Sequence, residues 1–362
     1  MKYILDQKRD NKSHNATGKA INDVFAIMNE CGVKVVPGVP KDKSKLLRVF
    51  DYPILICFCV FVAGRGDSII YVYKENTLKI KIVNALRGIK GYKTVCLIND
   101  VNSIREGVPE KIDEEFSLIG GANIILAPNE GSIKFMRERG MKNEMIPVKV
   151  WDYLMNEPGD EVTICGSVDT EGDTEKRRAS GNALHVAFAG NLGKSAFIKE
   201  LSEPSVLSDK VIYHLWGDIE DEHFFDNFEN VIYEGSVSAA ELIDVIREKC
   251  DAGLVWDGEK ATQIAGVYGE YLRFNNSHKC GCYLAAGLPV IVWTGSGAAY
   301  FVKESGCGWC IDSLADIEKI AKKYVGDENA ANEASWDSSA AISEVSKKVR
   351  CGYYLKCAVE QI

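Results

Sequence analysis

Along the chain, short apolar runs alternate with stretches in which apolar residues recur every three or four positions. In the first half, Tyr3–Leu5, Val33–Val36, Ile54–Ala63, Ser68–Tyr73, Thr94–Ile98 and Asn123–Ala127 read as strands. Helix patterns lie between them. Asn15–Glu30 begins polar and meets Gly32 just past its end, and Glu130–Arg139 runs into Gly140. A glycine at that place suits the left-handed residue that closes a helix. A second series repeats the alternation, with strands predicted at His185–Ala189, Val211–Leu215, Val231–Tyr233, Ala252–Trp256 and Pro289–Val292. Its helices are predicted at Ser195–Leu201, Ala239–Lys249, Ser277–Ala286, Ala298–Glu304 and Leu314–Tyr324. Alternation of this kind predicts an α/β fold with mostly parallel sheets. The longest apolar run, Tyr52 to Gly64, is shorter than the roughly 20 residues a membrane-spanning helix needs, and reads as a buried strand.

Between the two series the composition changes. Glu157 to Asn182 is rich in Gly, Asp, Glu, Ser and Thr and reads as a linker or an exposed excursion. The expected division is an N-terminal domain over residues 1–156, this excursion over 157–182, and a C-terminal domain over 183–339. The tail, Ala340–Ile362, reads as helical except near Gly352. A length of 362 residues agrees with two domains, and 46% hydrophobic with 26% charged residues is ample for packed cores. The net charge of −9 argues against a nucleic-acid partner, because such a surface repels a phosphate backbone. It leaves room for a nucleotide in one local basic pocket. Met1–Asp6 lacks the apolar segment of a secretory signal, so a cytoplasmic protein is expected, with peripheral contact at the inner face of the membrane compatible. Twelve cysteines without a secretory signal read as reduced thiols. Cys280-Gly-Cys282 and Cys307-Gly-Trp-Cys310 together offer four thiols, as zinc ligands or as small buried hydrophobes. The tight first pair and the apolar helical setting of Cys282 favour burial, and no metal site is expected.

Three places in the second half carry candidate chemistry. Phe188-Ala189-Gly190-Asn191-Leu192-Gly193-Lys194-Ser195 ends a strand in a glycine turn that opens a helix. Such a turn lets backbone approach a phosphate, and Lys194 adds a charge. The alternative is a plain tight turn with an exposed lysine. In Tyr271-Leu272-Arg273-Phe274-Asn275-Asn276-Ser277-His278-Lys279, Asn276 or Ser277 is positioned to cap a helix whose first turn carries His278 and Lys279. A diphosphate there would meet the helix dipole, a capping hydroxyl and a cation together. A capped helix with a solvated lysine is the plainer reading, but a cation in a first helical turn opposes the dipole and needs a reason. Asp257, in Gly253-Leu254-Val255-Trp256-Asp257-Gly258, ends a strand and either binds sugar or ribose hydroxyls or serves the turn. In the first half, the strand ending at Ile98 delivers Asn99 and Asp100. A carboxylate there is placed either as a general base or as a helix cap. His185 and His214 read as core residues, and His14 and His223 carry no signal.

These segments resemble the bacterial galactofuranosyltransferases and, more distantly, the glucosyltransferase that extends N-acetylglucosamine on serine-rich adhesins. The resemblance is densest over Gly253–Val302 and extends to Phe188–Lys194, Asn99–Arg105 and Val148-Lys149-Val150-Trp151-Asp152-Tyr153-Leu154. Asn99 stands where that family usually has histidine, and Ser277 where it usually has proline. The resemblance implies a GT-B architecture, two Rossmann-like doubly wound domains facing a cleft, with the final helix, residues 340–362, packing back on the N-terminal domain. It implies an inverting, metal-independent hexosyltransferase of polysaccharide biosynthesis that uses UDP-galactofuranose or UDP-glucose and a glycan or glycoconjugate acceptor, with no cofactor. Matched residue by residue, Gly190, Asn191, Lys194, Tyr233, Asp257, Ser277, His278, Lys279, Cys280, Gly281 and Cys282 would surround the nucleotide sugar. Asp100 would be the base, and Asn15, Gly18 and Asn99 would line the acceptor side. A homo-oligomer is compatible. A UDP-sugar epimerase and a non-catalytic UDP-sugar-binding subunit are the alternatives.

Overall fold

A computed structural model of the chain describes residues 1–6, 16–39, 47–73, 76–155, 182–325 and 339–362. Most of the excursion at 157–182 and candidate Asn15 lie outside these described residues. The chain divides into two compact units.

The first unit holds a six-stranded sheet of β1 (Lys2–Ile4), β2 (Lys34–Val35), β3 (Ser68–Tyr73), β4 (Lys93–Ile98), β5 (Ile124–Ala127) and β6 (Glu144–Pro147). Its strand order is β2-β1-β3-β4-β5-β6, and every pairing is parallel. β3 and β5 are buried at every residue, which is why they read as continuous apolar runs rather than alternating ones. Helix α1 (Ala16–Glu30) follows β1, and α3 (Thr77–Lys90) is capped by the Asn76 side chain and closed by Gly91 at φ 75°.

The Tyr52–Gly64 run is not a strand. It forms α2 (Asp51–Cys57), which continues as a wider π-type turn over Phe58–Val62. Pro53 falls in the first turn, where a proline costs no helical hydrogen bond, and an acidic residue opens the helix. Because the whole segment is apolar, it lacks the period that separates helix from strand.

The second unit holds β7 (Leu184–Ala189), β8 (Val211–Trp216), β9 (Val231–Gly235), β10 (Ala252–Val255), β11 (Val290–Trp293) and β12 (Gly308–Ile311). The order β12-β11-β10-β7-β8-β9, all parallel, is the Rossmann order 3-2-1-4-5-6. Its direction reverses between β7 and β10. In such sheets ligands bind beyond the carboxyl ends of the strands at that switch point. β12 takes in most of the Cys307-Gly-Trp-Cys310 segment. Its Gly308 passes so close to the Val290 carbonyl that an added Cβ would sit 1.9 Å away.

The tail is two helices separated at Gly352, φ 75°. Ser339–Arg350 belongs to the second unit, where Arg350 Nε donates to the Ala285 carbonyl at 2.6 Å. Only Tyr354–Ile362 joins the first unit, where Lys2 Nζ donates to the Val359 carbonyl at 2.5 Å and Lys356 pairs with Glu30 at 2.6 Å. The early part of the expected returning segment therefore packs elsewhere than on the N-terminal domain.

Candidate active site

Of the residues predicted around the nucleotide, Gly190, Asn191, Asp257 and Lys279 lie at the switch point of the second unit. β7 ends at Ala189, and Gly190 N donates to the Trp216 carbonyl at 3.0 Å. Asn191 Oδ1 accepts from Lys194 N at 3.1 Å and closes the turn. The helix His278–Ala285 brings Lys279 over this turn: an added Cβ on Gly190 would lie 2.8 Å from Lys279 Cε. Glycine at 190 therefore leaves the space that the lysine stem fills. Lys279 Nζ sits 3.6 Å from Asp257 Oδ2 and 4.5 Å above the Phe188 ring. Gly190, Asp257 and Lys279, distant in sequence, thus meet where the strand order reverses.

Next along the edge, Gly217 follows β8 at φ 139°, and an added Cβ would lie 1.8 Å from the Gly190 carbonyl oxygen. Tyr233 hydroxyl donates to the Gly217 carbonyl at 3.1 Å, and its phenol is raised first by burial and then by Glu222 and Asp218. Lys194 is exposed and stands 5.9 Å from the Tyr268 ring centroid. Gly217 and Tyr268 were not foreseen. The tight backbone crossing that requires Gly217 has no sequence signature.

Other predictions need correction. Ser277 occupies the N-cap position, but its hydroxyl makes no capping bond. The His278 ring stacks on Trp151, centroids 5.4 Å apart and planes 22° from parallel, and burial lowers its pKa to about 4. A neutral imidazole brings no positive charge to a diphosphate, so Lys279 alone supplies the cation of that turn. The Cys280 and Cys282 side chains are buried, and burial holds the Cys280 thiol well above its usual range. An added Cβ on Gly281 would meet the Trp151 carbonyl at 2.1 Å. Cys280, Gly281 and Cys282 therefore pack the helix inward, and only their backbone belongs to the exposed turn. No group of three or more His, Cys, Asp or Glu with metal-site geometry occurs among the described residues.

The stacked His278 has a pH consequence. Its folded pKa lies below the ordinary histidine value, so the unfolded chain binds the extra proton first as pH falls. Stability present above pH 6.5 should fall between there and pH 4, by up to about 3 kcal/mol at about 1.4 kcal/mol per unit. In thermal denaturation at a series of pH values, His278→Phe should flatten that part of the profile. Equal acid losses in both proteins would refute the assignment.

His214 is buried, as expected, while His185 is only half-buried, and the two are linked. His185 Nδ1 lies 2.8 Å from His214 Nε2, and His214 Nδ1 lies 2.8 Å from Glu234 Oε1. Burial lowers His214, against the opposing pull of Glu234.

In the first unit, Asn99 and Asp100 follow β4 and are half-buried. Asp100 is not a cap, since Val101 holds that position on the short helix α4 (Asn102–Arg105). Its Oδ2 pairs with Arg105 Nη1 at 3.2 Å. Gly18 lies half-buried in the first turn of α1. Leu5, Asp6, Val36, Gly38, Asp51 and Lys79 help to line a small, solvent-open depression beyond the ends of β1 and β2, which the sequence did not indicate.

Two Rossmann-like units of parallel strands are the architecture of the GT-B fold, and the second carries a basic lip at its switch point. The chain belongs to the glucosyltransferase 3-like family: the family's N-terminal domain model matches residues 1–150 and its C-terminal domain model residues 186–362. It is 23% identical to the beta-1,6-galactofuranosyltransferase WbbI of Escherichia coli K12, over 95% of this chain and 93% of that protein. Over a shorter region, 35% of each chain, it is 35% identical to glucosyltransferase 3 of Streptococcus gordonii. Among solved structures, Anabaena HepE in complex with UDP superposes with a TM-score of 0.57 at 13% identity, over 100% of this chain and 99% of that one. The apo lipopolysaccharide outer core galactosyltransferase WaaB gives 0.58 at 13% identity, over 99% and 98% of the two chains.

Proposed function

We propose that this glycosyltransferase moves galactofuranose or glucose from a UDP-sugar to a glycan or glycoconjugate acceptor, with inversion and without a divalent metal. The observation that carries the reading is Lys279 held over the Gly190 turn beside Asp257. Its ammonium and the first-turn amides of His278–Ala285 supply positive potential where a leaving diphosphate gathers charge. WbbI, by its name, transfers galactofuranose, and HepE has been crystallised with UDP and with UDP-glucose. Neither alternative function is favoured by relatives of this kind.

Inversion needs one base and no covalent intermediate. The acceptor hydroxyl bonds to the anomeric carbon, its proton passes to a carboxylate, and UDP departs with the bonding pair. Asp100 is our assignment for that carboxylate, with Arg105 orienting it. We place the reaction in the cytoplasm, at the inner face of the membrane.

UDP, UDP-glucose or UDP-galactofuranose should raise the unfolding temperature without added metal, by linkage between binding and folding. Asp100→Asn should keep that shift and lose transfer by about 100-fold or more. Retained transfer in that variant would remove Asp100 from the mechanism, and no shift with any uridine nucleotide would remove the donor assignment.

A further inference from the structure

The Tyr52–Gly64 segment presents an apolar face to solvent. Seven of the fifteen exposed large hydrophobics among the described residues fall between Val49 and Ile89. Val49, Phe50, Ile56, Phe61 and Val62 lie on or beside α2 and its π-type continuation, with Phe61 79% exposed. At helical spacing they share one side with exposed Pro53 and Cys57, while Leu55, Phe58 and Cys59 face the core. No charged side chain interrupts Tyr52–Gly64. A helix apolar on both faces is normally covered on both.

The neighbouring α3 continues the surface. Right-handed crossovers place α2 and α3 on the same side of the sheet, and α3 presents Leu78 and Ile89, 52% and 71% exposed, with Lys81 between them. α3 carries four basic residues, Lys79, Lys81, Arg87 and Lys90, and no acidic one, in a chain whose net charge is −9. Arg65 and Lys93 add exposed charges, and Arg65 Cβ lies 3.8 Å from the Cβ position of Gly91 at the end of α3. Lys79 is engaged with Asp51 at 3.4 Å and Arg87 with Thr94 at 3.0 Å. Arg65, Lys81, Lys90 and Lys93 make no ion pair among the described residues.

We infer that this α2–α3 surface docks on a negatively charged lipid bilayer, Phe61 and Val62 entering the acyl boundary while Arg65, Lys81, Lys90 and Lys93 meet the headgroups. Apolar residues beside uncommitted cations are the two signals that stable interfacial binding combines. A second copy placed on the same patch by a two-fold axis would bring like charges together, whereas anionic lipids supply the opposite sign.

The full chain, without donor or acceptor, is sedimented with vesicles of phosphatidylcholine alone or with about 30% phosphatidylglycerol, anionic lipid adding about a factor of five per basic residue near the surface. Partitioning to the anionic vesicles should be at least about tenfold higher and should fall as salt rises. Phe61→Ser with Val62→Ser, and separately Lys81→Glu, should each lower it roughly tenfold with unchanged unfolding temperature. Equal partitioning to both vesicles, or no loss in the variants, overturns the inference. So does a change in oligomeric state in the serine variant with no vesicle binding by the parent. Since no turnover is read, the result is separate from the transferase reading.

Discussion

Replacing Lys279 by alanine is expected to weaken UDP binding by about 30-fold, roughly 2 kcal/mol, while leaving the fold as stable as before. The first part follows from the loss of a charge-assisted contact to phosphate at a site only partly open to water. Lys279 is 18% exposed and Asp257 27%, so neither is fully screened. The second part is what distinguishes a ligand-binding lysine from a structural one. Lys279 stands in the first turn of the helix His278–Ala285, where the dipole disfavours a cation, and its partner is 3.6 Å away. Stability is therefore not the reason for it. Titration calorimetry with UDP measures the first effect and thermal unfolding the second. An unaltered dissociation constant would end the case for this lip as the nucleotide site. Asp257→Asn should strengthen UDP binding slightly, because it removes a competing anion.

The second large effect concerns stability. Gly253→Ala should cost about 3 kcal/mol or more, seen as a clear drop in denaturation midpoint. Gly253 lies inside β10, and an added Cβ would fall 2.1 Å from Cγ of Tyr283. That ring cannot step aside easily: it is fully buried, and its hydroxyl accepts from Ala189 N at 2.8 Å. The hydrogen bond ends on the residue just before Gly190, so a displaced Tyr283 should also loosen the glycine turn. A variant as stable as the parent would mean that the close approach of strand and ring can relax. A strand glycine of this kind marks where another group comes near the backbone.

The sequence disclosed the α/β layering through its buried parallel strands. β3, β4, β5 and β7 are apolar nearly throughout and bounded by polar turns, and runs this short favour strands over helices. It failed at Tyr52–Gly64 because an apolar segment without polar punctuation carries no period. Asp51 and Pro53 at the head of that segment were the available hint of a helix start. It also passed over β12, whose Gly308 packs closely against the Val290 carbonyl. At the candidate site, Gly190 and Lys279 were visible because each breaks a local preference: a glycine at a strand end and a cation at a helix start. Their meeting with Asp257 was not visible, since it depends on the strand order. The same holds for the stacking of Trp151 on His278, two residues far apart in sequence.

The helix Tyr353–Glu360 buries Leu355, Ala358 and Val359 in the first unit, some two hundred residues after Lys149, the last of the other residues in that unit. On the ribosome, the apolar seat for those side chains therefore stays uncovered until the whole second unit has emerged. The amino-terminal half should keep apolar surface exposed during synthesis for longer than its size alone would suggest.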